Sequence, residues 1–407
     1  MSSHCNPSVV DDGLVFLYDV EDIQSYKGEP TENIFLNPTF IGTAGTQTST
    51  VTDNWYFSGY TGDSGFKFYN NSTSPFPLKF SNEGSVITTG ANDDSTTQNR
   101  RFYCNEVLQA GATYTVSAWI YTTKTSGISI AHFEYGGSSL NSGYFSGTST
   151  HPNHVLGEWY YWEDTYTVGA DYTSGLIGPV HSGSSDTIVG IQRFQIEKKS
   201  HATPFVNGTR SATQGLLDRT GNSTINISNT SFDSNAQMTF DGTDDYINDA
   251  SFDMGTPTAI TLECIIRFNG SLDSADRKVM HYNKTGGTTA VFQLRKGYSA
   301  STLMYQAHNG SQWYTMTDTD AIESDTWAHF MITHSGTSAI MYKNGVQSAT
   351  ATMGNLHWTN ASNLLIGYRA NSEYWKGDIP IMKLYNRALT AAEVLQNFKA
   401  TKSRFGL

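Results

Sequence analysis

The sequence predicts an all-β fold with two β-sandwich, or jelly-roll, domains and one short C-terminal helix. The chain of 407 residues is too long for one ordinary core and suits two domains of roughly 150 to 200 residues. Charged residues make up only 15% of it, whereas residues typical of turns and strands, such as the 37 glycines and 23 tyrosines, are abundant. This balance is typical of sandwiches with many turns and polar outer faces.

The N-terminal half contains five candidate strands. The first is the apolar run from Gly13 to Asp19, which is followed by a polar turn that ends at Gly28. After a turn at Gly111, apolar and polar residues alternate over 114–121, which is the period of a half-buried strand. Further strands are predicted at 33–40, 159–168 and 188–197.

The C-terminal half shows a continuous series of strand patterns from Gln237 onward. A last strand over 375–385 leads into a helix that Thr390 can cap while Glu393 reaches back to complete a capping box. The other predicted elements are a strand-turn-strand unit at 240–247, strands at 260–268, 327–333 and 364–367, and a strand at 339–343 that an Asn-Gly hairpin turn follows.

The closing pattern Leu-Tyr-Asn-Arg-Ala-Leu-Thr-x-x-Glu-Val, from Leu384 to Val394, resembles the end of concanavalin A-like, laminin-G-like domains of phage structural proteins. The run 13–19 is similar to the opening strand of that family. In the family an Asp-x-Ser/Thr-Gly-Asn element usually follows soon, but here it arrives only at 218–222. The resemblance therefore implies a discontinuous domain with an insertion. One departure is Cys264, where the family often has a tryptophan.

The inserted segment is similar to jelly-roll carbohydrate-binding modules. With this resemblance, the expected organisation has four parts. They are an N-terminal segment at 1–12, a laminin-G-like sandwich formed by 13–28 and 206–395, the inserted module at 33–203, and a C-terminal tail at 396–407.

Charge and cysteine content narrow the classes of partner. The net charge is −12, and the basic pair Arg100-Arg101 is too small for a nucleic-acid groove, so no nucleic acid is expected. No apolar run approaches the length of a membrane span, and the start of the chain lacks the features of a signal peptide. We therefore expect no membrane association and no export by that route. The three cysteines are widely spaced and are expected to be free thiols.

Catalytic patterns are weak, and the sequence favours a protein that is not an enzyme. The Glu-x-Asp-x-x-Glu strand motif of the related glucanases is absent, and so is a Gly-x-Ser-x-Gly nucleophile elbow. A polysaccharide-degrading enzyme remains an alternative, because sandwiches of this shape include glycoside hydrolases. His151 and His154 suggest a polar loop rather than a zinc site, because no third ligand is nearby.

Calcium is the only cofactor that the sequence suggests. Carboxylates are dense in the turn that contains Asp241, Asp244 and Asp245, and calcium accepts such oxygen ligands in flexible loops. The alternative is a turn that the aspartates stabilise without an ion. The resemblance to jelly-roll modules implies a second calcium site between the first and last strands of the insert, in the region of Asn37 and Glu197.

Aromatic side chains in polar loops are the candidate glycan-binding residues, because sugar rings stack on aromatic planes while neighbouring polar groups fix the hydroxyls. Trp119, Trp159 and Trp327 fall on strand patterns and are expected in the core. For the loop residues, a packed aromatic and a ligand platform are both open interpretations. The candidates are Trp55, Tyr56, Trp313, Tyr314, Trp358, Arg369 and Tyr374.

The resemblance implies a virion surface protein, a fibre, tail or head decoration protein that attaches to glycans of the host surface. The first alternative is a purely architectural decoration or adaptor protein that binds other virion proteins. Such a protein is expected to assemble in the host cytoplasm. No heptad or collagen-like repeat supplies a fibrous shaft, and a homo-oligomer, preferably a trimer, is expected from the resemblance.

Overall fold

The computed structural model describes two compact units. One unit contains residues 1–30 and 210–407, and the other contains residues 31–209. The residues that the structure describes are 8–35, 39–40, 50–51, 55–58, 66–69, 72, 74, 76–89, 100–104, 108–123, 128–135, 138–145, 155–168, 175–181, 188–284, 290–299, 301–359, 361–369 and 373–407.

The first unit is built from a seven-stranded and an eight-stranded antiparallel sheet. In spatial order, the seven-stranded sheet contains β15 (Asn226–Asn229), β18 (Tyr246–Asp249), β27 (Ala361–Ile366), β20 (Arg277–Lys284), β21 (Ala290–Lys296), β22 (Leu303–His308) and β23 (Trp313–Asp318). The eight-stranded sheet contains β16 (Ser231–Phe232), β17 (Met238–Asp241), β28 (Lys376–Tyr385), β19 (Ala259–Phe268), β24 (Trp327–Ser335), β25 (Ser338–Lys343) and β26 (Val346–Thr352), and β1 (Leu14–Asp19) also pairs with β28.

The second unit contains a six-stranded and a five-stranded sheet. The six-stranded sheet has the order β10 (Ser138–Phe145), β9 (Ile128–Tyr135), β12 (Gly175–His181), β7 (Arg100–Cys104), β4 (Trp55–Ser58) and β3 (Thr50–Val51). The five-stranded sheet has the order β11 (Trp159–Thr167), β8 (Thr113–Thr122), β13 (Ile188–Glu197), β6 (Ser85–Thr89) and β5 (Phe66–Tyr69). Two short strands, β2 (Thr31–Glu32) and β14 (Thr209–Arg210), complete the set.

The predicted fold class is confirmed: the described residues form antiparallel sheets with one short C-terminal helix, α1 (Ala391–Thr401), and a final 3₁₀ turn (Lys402–Arg404). Thr390 caps α1 and Glu393 completes the predicted capping box. The hairpin between β25 and β26 turns at Asn344 and Gly345, which both have positive φ, as a type I′ turn requires. None of the described helices has the length and apolar character needed to span a membrane.

Asp218 joins the two separated parts of the first unit. One oxygen of its carboxylate accepts a hydrogen bond of 3.1 Å from the N–H group of Leu17 in β1. The same carboxylate accepts hydrogen bonds from the N–H groups of Thr220, Asn222 and Ser223, which closes the turn that follows it. The aspartate of the 218–222 element therefore holds the opening strand beside a segment that lies about two hundred residues later in the chain.

The predicted strand at 33–40 is not formed in its described residues, because a side chain takes over the backbone hydrogen bonds. The Asn33 amide oxygen accepts from the N–H groups of Phe35 and Ile196, and its NH₂ group donates to the carbonyls of Phe194 and Val206. A side chain that bonds main-chain N–H and C=O groups in this way takes positions that a strand ladder would otherwise use. Phe35 and Phe40 of the segment are nevertheless buried.

A buried carboxylate fastens the C-terminal helix to the outer side of the eight-stranded sheet. Glu263 of β19 is fully buried and accepts hydrogen bonds from Lys383 Nζ at 2.6 Å, His329 Nε2 at 3.1 Å and Asn397 Nδ2 at 2.7 Å. Asn397 of α1 also accepts from the N–H group of Val10. The network therefore connects the sheet, the helix and the N-terminal segment.

Burial alone raises the pKa of Glu263, but Lys383 and His329 outweigh it and hold the pKa at about 2, below the ordinary value of 4.5. A group whose pKa is depressed by folding stabilises the native state above its unfolded pKa. That contribution is lost as the pH falls through the folded value. We expect the free energy of unfolding contributed by Glu263 to be fully present above about pH 5 and to decline as the pH falls from 4.5 toward 2.

We predict that Glu263→Gln lowers the free energy of unfolding at pH 7 by on the order of 3 kcal/mol, because Lys383 keeps its buried charge without a counter-ion. The acid-induced decline should also become shallower in urea titrations performed between pH 5 and 2.5. Glu323→Gln is the control, since the Glu323 side chain is 67% exposed and pairs with Lys343 only at the surface. Equal effects of the two substitutions would contradict this account.

Candidate functional site

The seven-stranded sheet has a polar face on the side opposite the core. In β22, Tyr305 and Ala307 lie in the hydrophobic core, so Gln306 and His308 point to the other side because successive strand residues alternate. The pairing register extends this pattern across the neighbouring strands. The resulting polar row consists of Asn248, His281, Gln293, Gln306 and Thr315, with Leu365 between the first two.

The polar row is a directed chain of hydrogen bonds. His281 Nδ1 lies 3.2 Å from the amide oxygen of Gln293, and that oxygen can only accept, so Nδ1 carries the proton. Gln293 then donates to Gln306 at 2.7 Å, and Gln306 donates to the hydroxyl oxygen of Thr315 at 2.8 Å. Thr315 is exposed, and its own O–H group remains able to donate. Hydrogen bonds in such a chain polarise one another.

The protonation state of His281 fits this direction. Burial lowers the pKa of His281 to about 4, and the nearby cations Arg369 and Lys278 add to the effect, which outweighs the hydrogen bond to Gln293. The imidazole is therefore neutral near pH 7. A neutral ring donates from one nitrogen only, so the chain starts from a defined tautomer.

Trp313 is the first residue of β23 and lies on the same face as the polar row. Its cross-strand partner is His308, and the two rings meet edge to face with centroids 5.2 Å apart. The turn behind them is fixed, because the Asn309 side chain accepts from the N–H groups of Ser311 and Gln312. The Trp313 side chain is 37% exposed. His308 contacts one part of its ring, and the rest of the ring is accessible to a ligand.

Two other predicted glycan-binding residues face the core instead. Tyr314 follows Trp313 on β23 and therefore points to the opposite side, where it packs against the hydrophobic core. Its ring lies so close to Gly354 that a Cβ atom there would approach it to 2.5 Å. The Trp358 indole donates to the Pro257 carbonyl at 3.0 Å and its ring packs beside Phe292. Packing therefore accounts for the aromatic side chains of Tyr314 and Trp358.

Arg369 lies within an ion-pair network at the other end of the polar face. Its guanidinium is 3.6 Å from Glu373, and Glu373 is also 3.2 Å from the buried ammonium group of Lys278. The same ammonium group is 3.0 Å from Asp276, which Arg295 also contacts. Glycoside hydrolysis needs two carboxyl groups in contrasting environments, one of them protonated. Here both carboxylates bind one shared cation.

Tyr374 belongs to a stack of three tyrosines. Its ring lies parallel to that of Tyr368 at 4.5 Å, and Tyr368 contacts Tyr246 at 4.8 Å. The backbone carbonyl of Tyr374 accepts from Arg277, which starts β20. Arg277 pairs in register with the end of β21, whereas Trp313 is level with the start of that strand. The tyrosine stack and Trp313 are therefore at opposite ends of the sheet.

The three predicted calcium ligands of the first unit come together in one turn. One oxygen from each of Asp241, Asp244 and Asp245 lies within 4.8 Å of the others. Backbone groups already bind this cluster: Asp245 accepts from the N–H groups of Ser231 and Asp241, and Asp241 accepts from that of Thr243. Burial, and to a lesser extent the charge of Asp241, raise the pKa of Asp245.

The predicted calcium ligand of the insert, Glu197, is fully buried and hydrogen-bonded. Its carboxylate accepts from the hydroxyls of Thr31 and Thr203, the N–H group of Thr203 and the amide group of Gln195, at 2.5 to 3.0 Å. These donors occupy the lone pairs that a calcium ion would need. Its proposed partner Asn37 lies outside the described residues.

Trp55 and Tyr56 lie in β4, for which the structure describes the backbone alone. In the same unit, sequence reasoning missed an aromatic surface. Trp119 and Trp159, which were expected in the core, are only half-buried, and Tyr161 beside them is exposed. The alternation of side chains along the strands could have predicted this. Ile120 and Tyr160, the neighbours of Trp119 and Trp159 in the sequence, lie in the core, so the tryptophans face the other side.

Part of the chain is similar to known proteins. No curated protein matches the chain. Among solved structures, the chain is similar to the receptor-binding domain of botulinum neurotoxin mosaic serotype C/D, with 10% identity over 47% of this chain and 49% of that chain, and a TM-score of 0.38. For the receptor-binding domain of botulinum neurotoxin type G, the identity is 14%, the coverage 46% and 49%, and the TM-score 0.36. The chain thus spans about half the length of these structures.

A family model gives the more specific match. Residues 240–395 match the laminin-G model of the concanavalin A-like lectin/glucanases superfamily. This segment contains most strands of both sheets of the first unit, together with the start of α1. Residues 240–395 therefore form a laminin-G-like, concanavalin A-like jelly-roll domain.

Proposed function

We propose that the chain is a non-enzymatic virion surface protein that binds glycans of the host surface. The observation that carries the binding function is the juxtaposition of Trp313 with the exposed end of the polar row. The indole offers an apolar plane for the C–H face of a sugar. Thr315 lies two residues along the same strand, about 6.8 Å away, which places its hydroxyl beside the ring that stacks. Gln306 fixes the orientation of that hydroxyl.

The lectin-like domain supports this proposal only as an analogy, since one fold can carry many functions. The absence of catalysis is proposed because Asp276 and Glu373 share one lysine and therefore lack contrasting environments. The virion role rests on the closing pattern from Leu384 to Val394, which resembles phage structural proteins. In this proposal the protein is assembled in the host cytoplasm and placed on the particle surface.

We further propose that the turn formed by Asp241, Asp244 and Asp245 binds calcium. Ca²⁺ coordinates carboxylate oxygens at about 2.3 to 2.6 Å, and oxygens within 4.8 Å of one another can reach such a distance with small rotations. Bound calcium would remove the repulsion between Asp241 and Asp245. The turn lies close to the tyrosine stack, since the charge of Asp244 contributes to the raised pKa of Tyr374, of which burial is the main cause.

We predict that Trp313→Ala weakens glycan binding by roughly tenfold, because a stacking surface worth on the order of 1.4 kcal/mol is lost. The melting temperature should change little, since an exposed substitution of this kind usually changes stability by about 0.5 kcal/mol or less. Binding is measured by a glycan array followed by calorimetry. Tyr298→Ala is the control, because Tyr298 is 69% exposed near the other end of the sheet. A large loss of thermal stability would show that Trp313 is a packing residue.

For calcium, we predict that saturating Ca²⁺ raises the melting temperature of the wild type and leaves that of Asp244→Asn unchanged. At a concentration one hundred times the dissociation constant, binding to the native state adds about 2.7 kcal/mol. Asp253→Asn is the matched control, since Asp253 is another exposed aspartate whose carboxylate accepts a turn N–H. If Ca²⁺ does not raise the melting temperature of the wild type, the proposal is wrong and the aspartates only stabilise the turn through hydrogen bonds.

The expected assembly is a trimer that attaches through the N-terminal segment or the basic tail at 399–404. We predict that light scattering gives a mass of three chains, and that deletion of residues 1–12 releases the protein from particles. Stable oligomers bury well over ~1,000 Å². A monomer that still attaches without residues 1–12 would contradict this prediction. Attachment that persists when glycan binding is abolished would separate the anchoring role from the binding role.

A further inference from the structure

Three polar side chains meet in the buried layer between α1 and the outer side of the eight-stranded sheet. Glu263 and Asn397 are fully buried, and Lys383 is 2% exposed. The pairing register places Lys383 of β28 directly beside Glu263 of β19, and Asn397 reaches the same carboxylate from α1. Met331 of β24 and Val394 of α1 add apolar surface to this layer. The three groups therefore interact in a low-dielectric environment.

The side-chain nitrogen atoms of Lys383 and Asn397 bind the two oxygens of one carboxylate. Lys383 Nζ donates to Glu263 Oε1 at 2.6 Å, and Asn397 Nδ2 donates to Glu263 Oε2 at 2.7 Å. An amine is a nucleophile once it is neutral, and a primary amide is an acyl group with a nitrogen that can leave. A carboxylate between them can take a proton from one nitrogen and return it to the other.

The ammonium group of Lys383 has few partners for a buried charge. It carries three N–H bonds, and among the residues that the structure describes it donates to Glu263 alone. Burial of a charge costs free energy unless the charge is paired and fully hydrogen-bonded. A reaction that converts the amine into a neutral amide would remove this cost.

The amide group of Asn397 is held in a fixed orientation. Its Oδ1 atom accepts from the N–H group of Val10 at 2.8 Å, and a fixed backbone donor stabilises the negative charge that develops on a carbonyl oxygen under attack. Its Nδ2 atom also donates to the Tyr385 hydroxyl at 2.8 Å. That hydroxyl in turn donates to the Val10 carbonyl at 3.0 Å. The amide therefore has a donor at its oxygen and acceptors at its nitrogen.

We infer that Lys383 and Asn397 form an intramolecular isopeptide bond, with Glu263 as the catalytic proton relay. The bond would fasten α1 covalently to β28, so that the C-terminal helix could not detach from the sheet. The ion pair of Glu263 and Lys383 described above is the state before the reaction, and the acid dependence of stability predicted above applies to that state. The inference does not rest on the proposed glycan-binding function.

The reaction needs no further reactant. Lys383 Nζ passes a proton to Glu263, and the neutral amine attacks Cγ of Asn397, which forms the new C–N bond. Glu263 then transfers a proton from the attacking nitrogen to Nδ2, the bond between Cγ and Nδ2 breaks, and ammonia leaves. The ammonia carries away the proton that Lys383 held at the start, as ammonium. Glu263 is therefore ionised at the end, as it was before.

The test is mass spectrometry of the purified full-length protein. Bond formation lowers the intact mass by about 17 Da, the mass of the ammonia that leaves. After trypsin digestion, the segments 377–387 and 388–399 should appear as one linked species, because trypsin does not cleave after an acylated Lys383. A full calculated mass after prolonged incubation of the folded protein at mildly alkaline pH, where the neutral amine is more abundant, would overturn the inference.

Variants separate the roles of the three groups. Glu263→Gln and Lys383→Arg should keep their full calculated masses, because the first lacks the relay and the second replaces the amine with a guanidinium that is not deprotonated in proteins. Lys343→Arg is the matched control and should show the mass deficit, since Lys343 pairs with Glu323 at the surface.

Two results would contradict the assignment even if a mass deficit is found. A deficit that persists in Glu263→Gln would overturn the relay. A deficit that maps to an Asn-Gly sequence, such as Asn344-Gly345, would overturn the isopeptide bond, because cyclisation of asparagine there also releases ammonia. If Glu263→Gln does not fold, the presence or absence of the linked tryptic species in the wild type still decides whether the bond forms.

Discussion

The alternation of side chains along antiparallel strands is the constraint on which both the cores and the candidate surfaces depend. One face of each sheet must be apolar because it packs in the core. The residues on the outer face are not constrained in this way, so they can differ between the two sheets. In the eight-stranded sheet that other face is covered by α1 and the N-terminal segment around the buried Glu263. In the seven-stranded sheet it carries the polar row that ends at Thr315 and Trp313. The two sheets of one sandwich thus have different roles.

Buried polar groups in this protein mostly join distant parts of the chain. Asp218 binds the opening strand, Glu263 binds the C-terminal helix, and Glu197 binds Thr31 and Thr203 within the second unit. In each case the carboxylate accepts several hydrogen bonds, which is the condition under which burial of a charge is tolerated. These carboxylates are structural, and that leaves the exposed aromatic residues as the better candidates for binding.

Much of the fold could be predicted from the sequence because turns, caps and alternation are local signals. The capping box of Thr390 and Glu393, the Asn344-Gly345 turn and the long strands were predicted and are confirmed. The strand predicted at 33–40 is not formed in its described residues, where the side chain of Asn33 bonds main-chain groups of other segments. Of the residues that form the candidate site, only Trp313 was predicted from the sequence. Whether a strand tryptophan such as Trp119 faces the core depends on which face the neighbouring strands bury, and that is a property of the assembled sheet.

The central claim is that exposed aromatic residues on outer sheet faces bind glycans, whereas buried ones serve packing. Nuclear magnetic resonance of the indole N–H groups tests it most directly, since the chain has only 8 tryptophans. During titration with a bound neutral oligosaccharide, the account predicts a shift for Trp313 and none for Trp375, which is buried in the core, or for Trp358, which packs against the core. Shifts confined to Trp358 and Trp375, or no shift at Trp313, would contradict it.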